Sequence, residues 1–184
     1  MIAQVYISHD PQDEHLAKEL SALLWRVGLL SIRSMNREPE AISRSERVTY
    51  AIRNSECFVP IVTANGSVSR TICQEIGYAR GLERLIIPLQ EDGAELPFLI
   101  SHLRPVTFTE FEEAEAILVR VLRDLTRLEW LKVVCPACSE EMTQYLTPQQ
   151  EVDSAILHGS TLETICTYCE RNISLDPRTF RPGA

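Results

Sequence analysis

The 184-residue chain has no apolar run approaching the roughly 18 residues needed to cross a bilayer. Its first residues, MIAQVYISHDPQDEH, carry no basic start, no long apolar stretch and no small-residue cleavage site. They read as a first strand and not as a secretory leader, so a cytoplasmic setting is expected. A surplus of positive charge is missing too. Lysine and arginine number 18 against 26 aspartates and glutamates, a net charge of −8. Residues 1–130 hold 14 basic and 19 acidic side chains, and residues 131–184 hold 4 and 7. Neither part has the cationic excess with which phosphate backbones are bound, which disfavours nucleic acid as a partner. Internal repeats and low-complexity segments are also lacking. What remains is 45% hydrophobic and 24% charged, the balance of a globular protein. The length suits one ordinary domain, or one domain with a small stabilised appendix.

Residues 1–130 alternate short apolar runs with helical patterns, as a parallel sheet wrapped by helices requires. Ala3–Ser8 (AQVYIS) is the first expected strand. Asp10 then offers an N-cap, with Pro11 at the first helical position and the acid Asp13 three residues after the cap. Leu16, Leu20, Leu23, Leu24 and Val27 follow at helical spacing until Gly28. Leu29–Arg33 is a second strand, and the polar stretch 34–41, with Pro39, a loop. A helix is expected over Ile42–Ser55, with Val48, Ala51 and Ile52 inward. Cys57–Thr63 is almost wholly apolar, which suits a central strand buried on both faces. Asn65-Gly66 makes a turn, and Ser67 or Ser69 caps a helix to about Leu82. Arg84–Gln90 is a fourth strand, whose ladder is expected to stop near Pro88. Glu91–Pro105 is loop, with a short turn around Pro97–Leu103. Val106–Phe108 is an edge strand, and Glu112–Leu128 a last helix with Ile117, Leu118, Val121, Leu122 and Leu125 inward. Five strands wound in this way place ligands beyond their C-terminal ends. Ser8-His9-Asp10, the 34–41 loop and the Asn65–Ser69 turn share that rim.

One carboxylate falls in an unusual place. At about 100° per residue, Ile72, Ile76 and Ala79 form the inward stripe of their helix, and Glu75 borders it. A carboxylate there is partly desolvated and feels the positive end of the helix dipole. The competing expectation is a flank glutamate with its head in water. Cys73, on the same helix without an evident basic partner, reads as buried filler.

Tyr6-Ile7-Ser8-His9 resembles the first box of TIR domains. Ile42–Ala79, ISRSERVTYAIRNSECFVPIVTANGSVSRTICQEIGYA, is similar to that family's helix ending in serine, buried strand, then serine, tryptophan and glutamate on the next helix. The resemblance covers about residues 1–128. It implies a flavodoxin-like five-stranded parallel sheet in the order 2-1-3-4-5. Many TIR domains are NAD glycohydrolases or cyclases, and others are self-associating scaffolds in immune signalling. By resemblance Glu75 is the catalytic glutamate. Ser8, His9 and Asp10 lie at the substrate rim, with Ser8 toward the phosphate and ribose end. Arg33 and Arg37 flank the loop that gates the cleft or meets a neighbouring subunit, although either is equally readable as surface charge. His9 ranks low as a base. Ser69 and Thr71 stand on the glutamate's helix, and Thr71 occupies the place of the family's tryptophan. Self-association through the TIR domain is the implied mode of action.

Residues 131–184 carry Cys135-Pro136-Ala137-Cys138 and Cys166-Thr167-Tyr168-Cys169. Two such pairs in a reducing compartment point to metal, with each pair folding as a knuckle and the two completing a tetrahedral zinc site. Four thiolates leave no open position, so the zinc is expected to be structural. The segment resembles a zinc ribbon, with a helix over Gln149–His158 in its insert. His158 is superfluous as a ligand. The acidic balance favours a protein partner, or a cap role, for this module.

Overall fold

The computed structural model describes residues 2–33, 42–64, 69–126 and 130–183. Strands β1 (Gln4–Ser8), β2 (Leu30–Arg33), β3 (Cys57–Val62), β4 (Leu85–Ile86), β5 (Leu89–Glu91) and β6 (Val106–Phe108) form one parallel sheet. Its order is β2-β1-β3-β5-β6, with β4 also paired to β3. Helices α1 (Glu14–Arg26), α2 (Arg44–Asn54), α3 (Arg70–Gly81) and α4 (Phe111–Leu125) cover the sheet. The 34–41 loop with Arg37, and the Asn65–Val68 turn with Ser67, lie outside the described residues.

β4 and β5 together are the fourth strand that the sequence predicts. The ladder does not end at Pro88, as the sequence suggested, but pauses there and resumes. Cys57 pairs with Leu85 and Ile61 with Leu89 in one unbroken register, which sets Pro60 opposite Pro88. Neither proline has an N–H to donate. The strand therefore splits where both are missing, and Leu89–Glu91 continues between β3 and β6.

The two-residue period of β-strands sorts side chains to two faces. Val5 and Ile7 of β1, with Cys57, Val59 and Ile61 of β3, pack among the buried side chains of α1 and α4. Tyr6 and Phe58 point the other way, stacked at 5.6 Å, into a layer with Ala51 and Ile52 of α2 and Ile72, Ile76 and Ala79 of α3. The buried side of α4 is Ala114, Glu115, Leu118, Val119 and Leu122. Ile117 and Leu125, expected inward, are about half exposed, so the stripe is rotated from the one drawn on leucine spacing. A buried glutamate breaks the apolar pattern that would have shown this.

The α1/α4 face continues into the C-terminal segment. β7 (Trp130–Val134) pairs with β8 (Glu141–Tyr145), and β9 (Leu162–Ile165) with β10 (Asn172–Leu175), both antiparallel. Helix α5 (Gln149–His158) lies between the hairpins in sequence and ends at Gly159 in the left-handed conformation. Leu131, Val133, Met142, Val152, Leu162, Ile173 and Phe180 join the same buried cluster as α1 and α4. The segment thus shares a core with the parallel sheet.

Three turns in this segment have one backbone design. In each, a residue accepts from the N–H four positions on, and its own N–H donates to the carbonyl five positions on. The pairs are Cys135 with Ser139 and Glu140, Cys166 with Glu170 and Arg171, and Asp176 with Phe180 and Arg181, all at 2.8–3.0 Å. The residue at the fourth step is left-handed each time: Ser139 at φ 61°, Glu170 at 58° and Phe180 at 54°. The third turn has Asp176 and Thr179 where the others have cysteines. Asp176 Oδ1 accepts from the N–H of Arg178 at 2.7 Å and of Thr179 at 3.2 Å, as Cys135 Sγ accepts from Ala137 at 3.4 Å. A carboxylate does the work of a thiolate, and this knuckle needs no metal.

The third knuckle also fastens the segment to the helices. Phe180 is buried, Arg181 lies 2.7 Å from Glu19 of α1 and 3.6 Å from Glu115 of α4, and Arg178 lies 3.7 Å from Glu112. Nearby, Lys132 Nζ sits 4.9 Å from the centre of the Trp25 ring, a cation–π contact.

Asp176→Ala leaves two N–H groups without their acceptor. It is expected to lower the unfolding free energy by about 1–3 kcal/mol, read from denaturant melts, with Asp176→Asn costing less. Glu115 generates a pH dependence. Burial, and then Glu19, push its carboxyl up to about 7, against the pull of Arg181 and Arg26. The folded protein holds this proton after the unfolded chain has lost it. The stabilisation is therefore complete below the ordinary value of 4.5 and disappears as pH rises through about 7. Glu115→Gln should show a smaller fall in Tm between about pH 5 and about pH 8 than the wild type.

Candidate functional site

β1 places Tyr6 and Ser8 on the same face, two residues apart, and that face looks at α3. Along α3, Ser69 caps the first turn by accepting from the Ile72 N–H at 3.2 Å. The buried stripe then runs Ile72, Glu75, Ile76, Ala79. Glu75 is 5% exposed, which decides against a flank glutamate in water. Ser8 Oγ, itself fully buried, donates to Glu75 Oε2 at 2.6 Å. Oε1 is buried and has no hydrogen-bond partner of normal geometry. Burial raises the Glu75 carboxyl above the usual range, while the Ser8 and Tyr6 hydroxyls and the charge of Arg44 oppose the rise. A carboxylate held this way is poised to gain from any positive charge brought to it.

A cleft of about 350 Å³ opens between α2 and α3 above this carboxylate. Thr71, Glu75 and Tyr78 line one wall, and Arg44, Val48 and Ile52 the other. A smaller hollow of about 130 Å³ adjoins it, sharing Arg44 and Val48, and adds Tyr6, Arg33 and Arg47. Cys73 is exposed on α3, contrary to its reading as filler. One step of about 100° from Ile72 takes it off the buried stripe.

A second site lies between the two cysteine knuckles. Cys135 and Cys169 sulfurs are 3.7 Å apart, as are those of Cys138 and Cys166, and all four lie within 4.8 Å of one another. A disulfide needs about 2.05 Å, so these are four free thiols. A tetrahedron with metal–sulfur bonds of about 2.3 Å has edges of about 3.8 Å, and the observed spacing fits it. Backbone N–H groups of Cys138 and Ala137 bring the Cys135 thiol down to about 6. The Glu140 N–H acts likewise on Cys138, but desolvation and the crowd of sulfurs push that thiol up to about 12. A set in which one thiolate resists the next is the donor chemistry that a dication resolves. His158 is not part of the cluster. Its Nδ1 lies 2.7 Å from the Ser154 carbonyl oxygen.

A family model described as TIR domain matches residues 5–121, the span from β1 into α4. The chain belongs to the TIR domain family. Among solved structures it is similar to the TIR domain of the Toll-related receptor TRR-2 from Hydra magnipapillata, at 18% identity and a TM-score of 0.53, covering 68% of this chain and 98% of that one. It is also similar to the TIR domains of the activated Roq1 resistosome that recognizes the pathogen effector XopQ. There the identity is 12% and the TM-score 0.55, over 67% and 99% of the two chains. A 2-desoxiribosyltransferase from Leishmania mexicana matches at 18% identity and TM-score 0.50, over 64% and 97%. No curated protein matches the chain.

Within this TIR domain the residues singled out from sequence separate into two groups. Ser8 and Thr71 meet Glu75 at the cleft, and Arg33 reaches the adjoining hollow. Asp10 and Ser69 spend their side chains on caps, Asp10 by accepting from the Gln12 N–H at 3.1 Å. His9 is buried, and desolvation lowers its pKa, which keeps the ring neutral. Asp13 turns inward and accepts from the Thr63 hydroxyl at 2.9 Å. Arg44, Arg47 and Tyr78 line the site without having been marked from sequence. For the two arginines a signal was available, since cations in the first turn of a helix oppose its dipole.

Metal binding is tested by titrating the reduced, metal-free protein with Co²⁺. Thiolate-to-metal absorption should saturate at about one equivalent and be lost in Cys166→Ser. Removing the metal should lower Tm, because closing the site is part of folding.

Proposed function

We propose that this TIR domain cleaves the nicotinamide–ribose bond of NAD, with Glu75 as the catalytic carboxylate. The observation that carries the proposal is a buried glutamate, oriented by Ser8 at 2.6 Å, on the wall of a cleft of about 350 Å³. As the C1′–N bond breaks, its electron pair goes to the pyridinium nitrogen, which becomes neutral and leaves as nicotinamide. The positive charge moves to the ribose C1′ and ring oxygen, where a desolvated carboxylate stabilises it strongly. Water then adds at C1′ and gives up a proton, yielding ADP-ribose. Attack by the substrate's own adenine would instead close a cyclic product. No general acid is needed, because the leaving group is already cationic. Ser8 holds the carboxylate in place, and Tyr78 and Thr71 shape the wall where the family's tryptophan usually stands.

Self-association through the TIR domain, in defence or cell-death signalling in the cytoplasm, belongs to the same reading. Zinc is the metal assigned to Cys135, Cys138, Cys166 and Cys169. With four sulfur ligands it has no open position and acts structurally. Residues 1–130 act as the TIR domain and residues 131–184 as a zinc-ribbon module. Tyr145, Ile165 and Tyr168 are exposed on this acidic module, which suits contact with protein more than with nucleic acid. Thr71 in the tryptophan's place supports a second reading, a TIR scaffold without turnover.

The test is nicotinamide release from NAD by concentrated, zinc-loaded protein. Release is expected in the wild type, with Glu75→Ala and Glu75→Gln slowed by about 100-fold or more. It should fall as pH drops through a pKa above the usual carboxylate range, since only the ionised form acts. Absence of release at every concentration would favour the scaffold. Release that persists in both variants would remove Glu75 from the chemistry.

A further inference from the structure

We infer that the four-cysteine cluster is a site of oxidation by hydroperoxides, at which disulfides Cys135–Cys169 and Cys138–Cys166 form between the knuckles and replace the bound metal. The inference deepens the metal-site reading, although its chemistry needs only the four thiols. The sulfur contacts of 3.7 Å join Cys135 to Cys169 and Cys138 to Cys166, so both run from one knuckle to the other. Each contact pairs a buried cysteine, Cys135 or Cys166, with a half-buried one, Cys169 or Cys138. Each pair therefore has one member that a small oxidant reaches from solvent and one shielded beside it.

The turns favour this pairing over one within each Cys-x-x-Cys motif. Cys135 and Cys166 are each pinned by two backbone hydrogen bonds at 2.9–3.0 Å that close their knuckles. Cys135 Sγ also accepts from the Ala137 N–H of its own turn at 3.4 Å. A bond between knuckles asks for side-chain rotation that brings sulfurs from 3.7 Å to about 2.05 Å, and the backbone turns stay closed. The remaining cysteines, Cys57 in β3 and Cys73 on α3, stand outside the cluster. The third knuckle, with Asp176 and Thr179 in the corresponding positions, offers no thiol.

The steps balance with the hydroperoxide as the one co-reactant. The sulfur of Cys138 or Cys169 attacks the terminal peroxide oxygen, the O–O bond breaks, and the other oxygen leaves with a proton as water or an alcohol. The sulfur has lost two electrons and is a sulfenic acid. Its neighbour on the other knuckle then attacks it. The S–S bond forms, the S–O bond breaks, and the hydroxyl leaves as water with the neighbour's proton. Each disulfide consumes one hydroperoxide. A disulfide sulfur is no longer a thiolate ligand, so the metal is released. The new bonds tie the β7–β8 hairpin to the β9–β10 hairpin and restrain the unfolded chain, which keeps the module clasped without metal.

The experiment treats the full, zinc-loaded chain with hydrogen peroxide and follows zinc with a colorimetric indicator. About one equivalent should be released, and dithiothreitol should restore its uptake. Cleavage after glutamates separates the knuckles, because Glu140 and Glu163 lie between them. Mass spectrometry without reduction should find residues 130–140 joined to residues 164–170, with fragmentation assigning Cys135–Cys169 and Cys138–Cys166. The oxidised protein should melt above the reduced, metal-free protein. Cys135→Ser with Cys169→Ser keeps one facing pair and should still cross-link. Cys135→Ser with Cys166→Ser keeps no such pair and should do so about tenfold more slowly. The inference is overturned by disulfides within each motif, by links between molecules, or by oxidation that leaves the two peptides separate. Cross-links between the knuckles in a protein that takes up no zinc would leave the pairing standing and remove the metal reading alone.

Discussion

Placing a carboxylate between a strand and a helix costs several kcal/mol of lost hydration unless something compensates, and the α2/α3 face is arranged around that constraint. Ser8 supplies the compensating hydrogen bond, and it does so from the one position of β1 that follows Tyr6 on the same face. Tyr6 stacks on Phe58 and keeps that strand face dry below the carboxylate. The price is a glutamate that ionises less readily than one in water, with Arg44 at the cleft mouth restoring part of the loss. One oxygen of the group is held by Ser8 and the other has no hydrogen-bond partner of normal geometry, so a transient cation brought beside it would be stabilised.

The opposite face solves a different problem with similar means. Glu115 is buried in α4, and its attractive partners Arg26 and Arg181 come from α1 and from the far C-terminus, with Glu19 of α1 opposing them. This cluster joins the cysteine-bearing segment to the parallel sheet where apolar packing by Phe180 and Leu131 alone would leave orientation loose. The segment has two ways of making a knuckle. Two of its turns bring together four thiols that could hold a metal ion, and one closes on an aspartate through backbone N–H groups. The knuckle that closes on Asp176 carries ion pairs to both α1 and α4.

Patterns local in the chain were readable without coordinates. Short apolar runs at Ala3–Ser8 and Cys57–Thr63, helical spacing through Leu20–Leu24 and Ile72–Ala79, and the doubled Cys-x-x-Cys motif led to the observed elements. The doubled motif also led to the four-sulfur cluster, while the sheet order followed from the resemblance to TIR domains. Glu75 was legible as a residue on the border of a stripe, because a helical angle needs only sequence spacing. Errors arose where a local rule met a distant partner. Pro88 was expected to end a strand, but Pro60 lies opposite it and the ladder loses nothing further by continuing. Ile117 and Leu125 were placed inward on apolar spacing, but the buried side of the helix includes Glu115.

By itself, the amino-acid order determined which faces were apolar, where the chain turned, and that four thiols would converge. These follow from periodicity and from residue chemistry within a few positions. Only the tertiary structure decided what each polar group meets. It showed that Ser8 reaches Glu75 across 67 positions, and that Arg33 and Arg44 come together on one hollow. It also showed that Asp176 repeats the part of a cysteine, and that Arg181 closes on Glu19 162 positions away. The physical reason is that desolvation and pairing are set by neighbours in space, and a sequence pattern reports only neighbours along the chain.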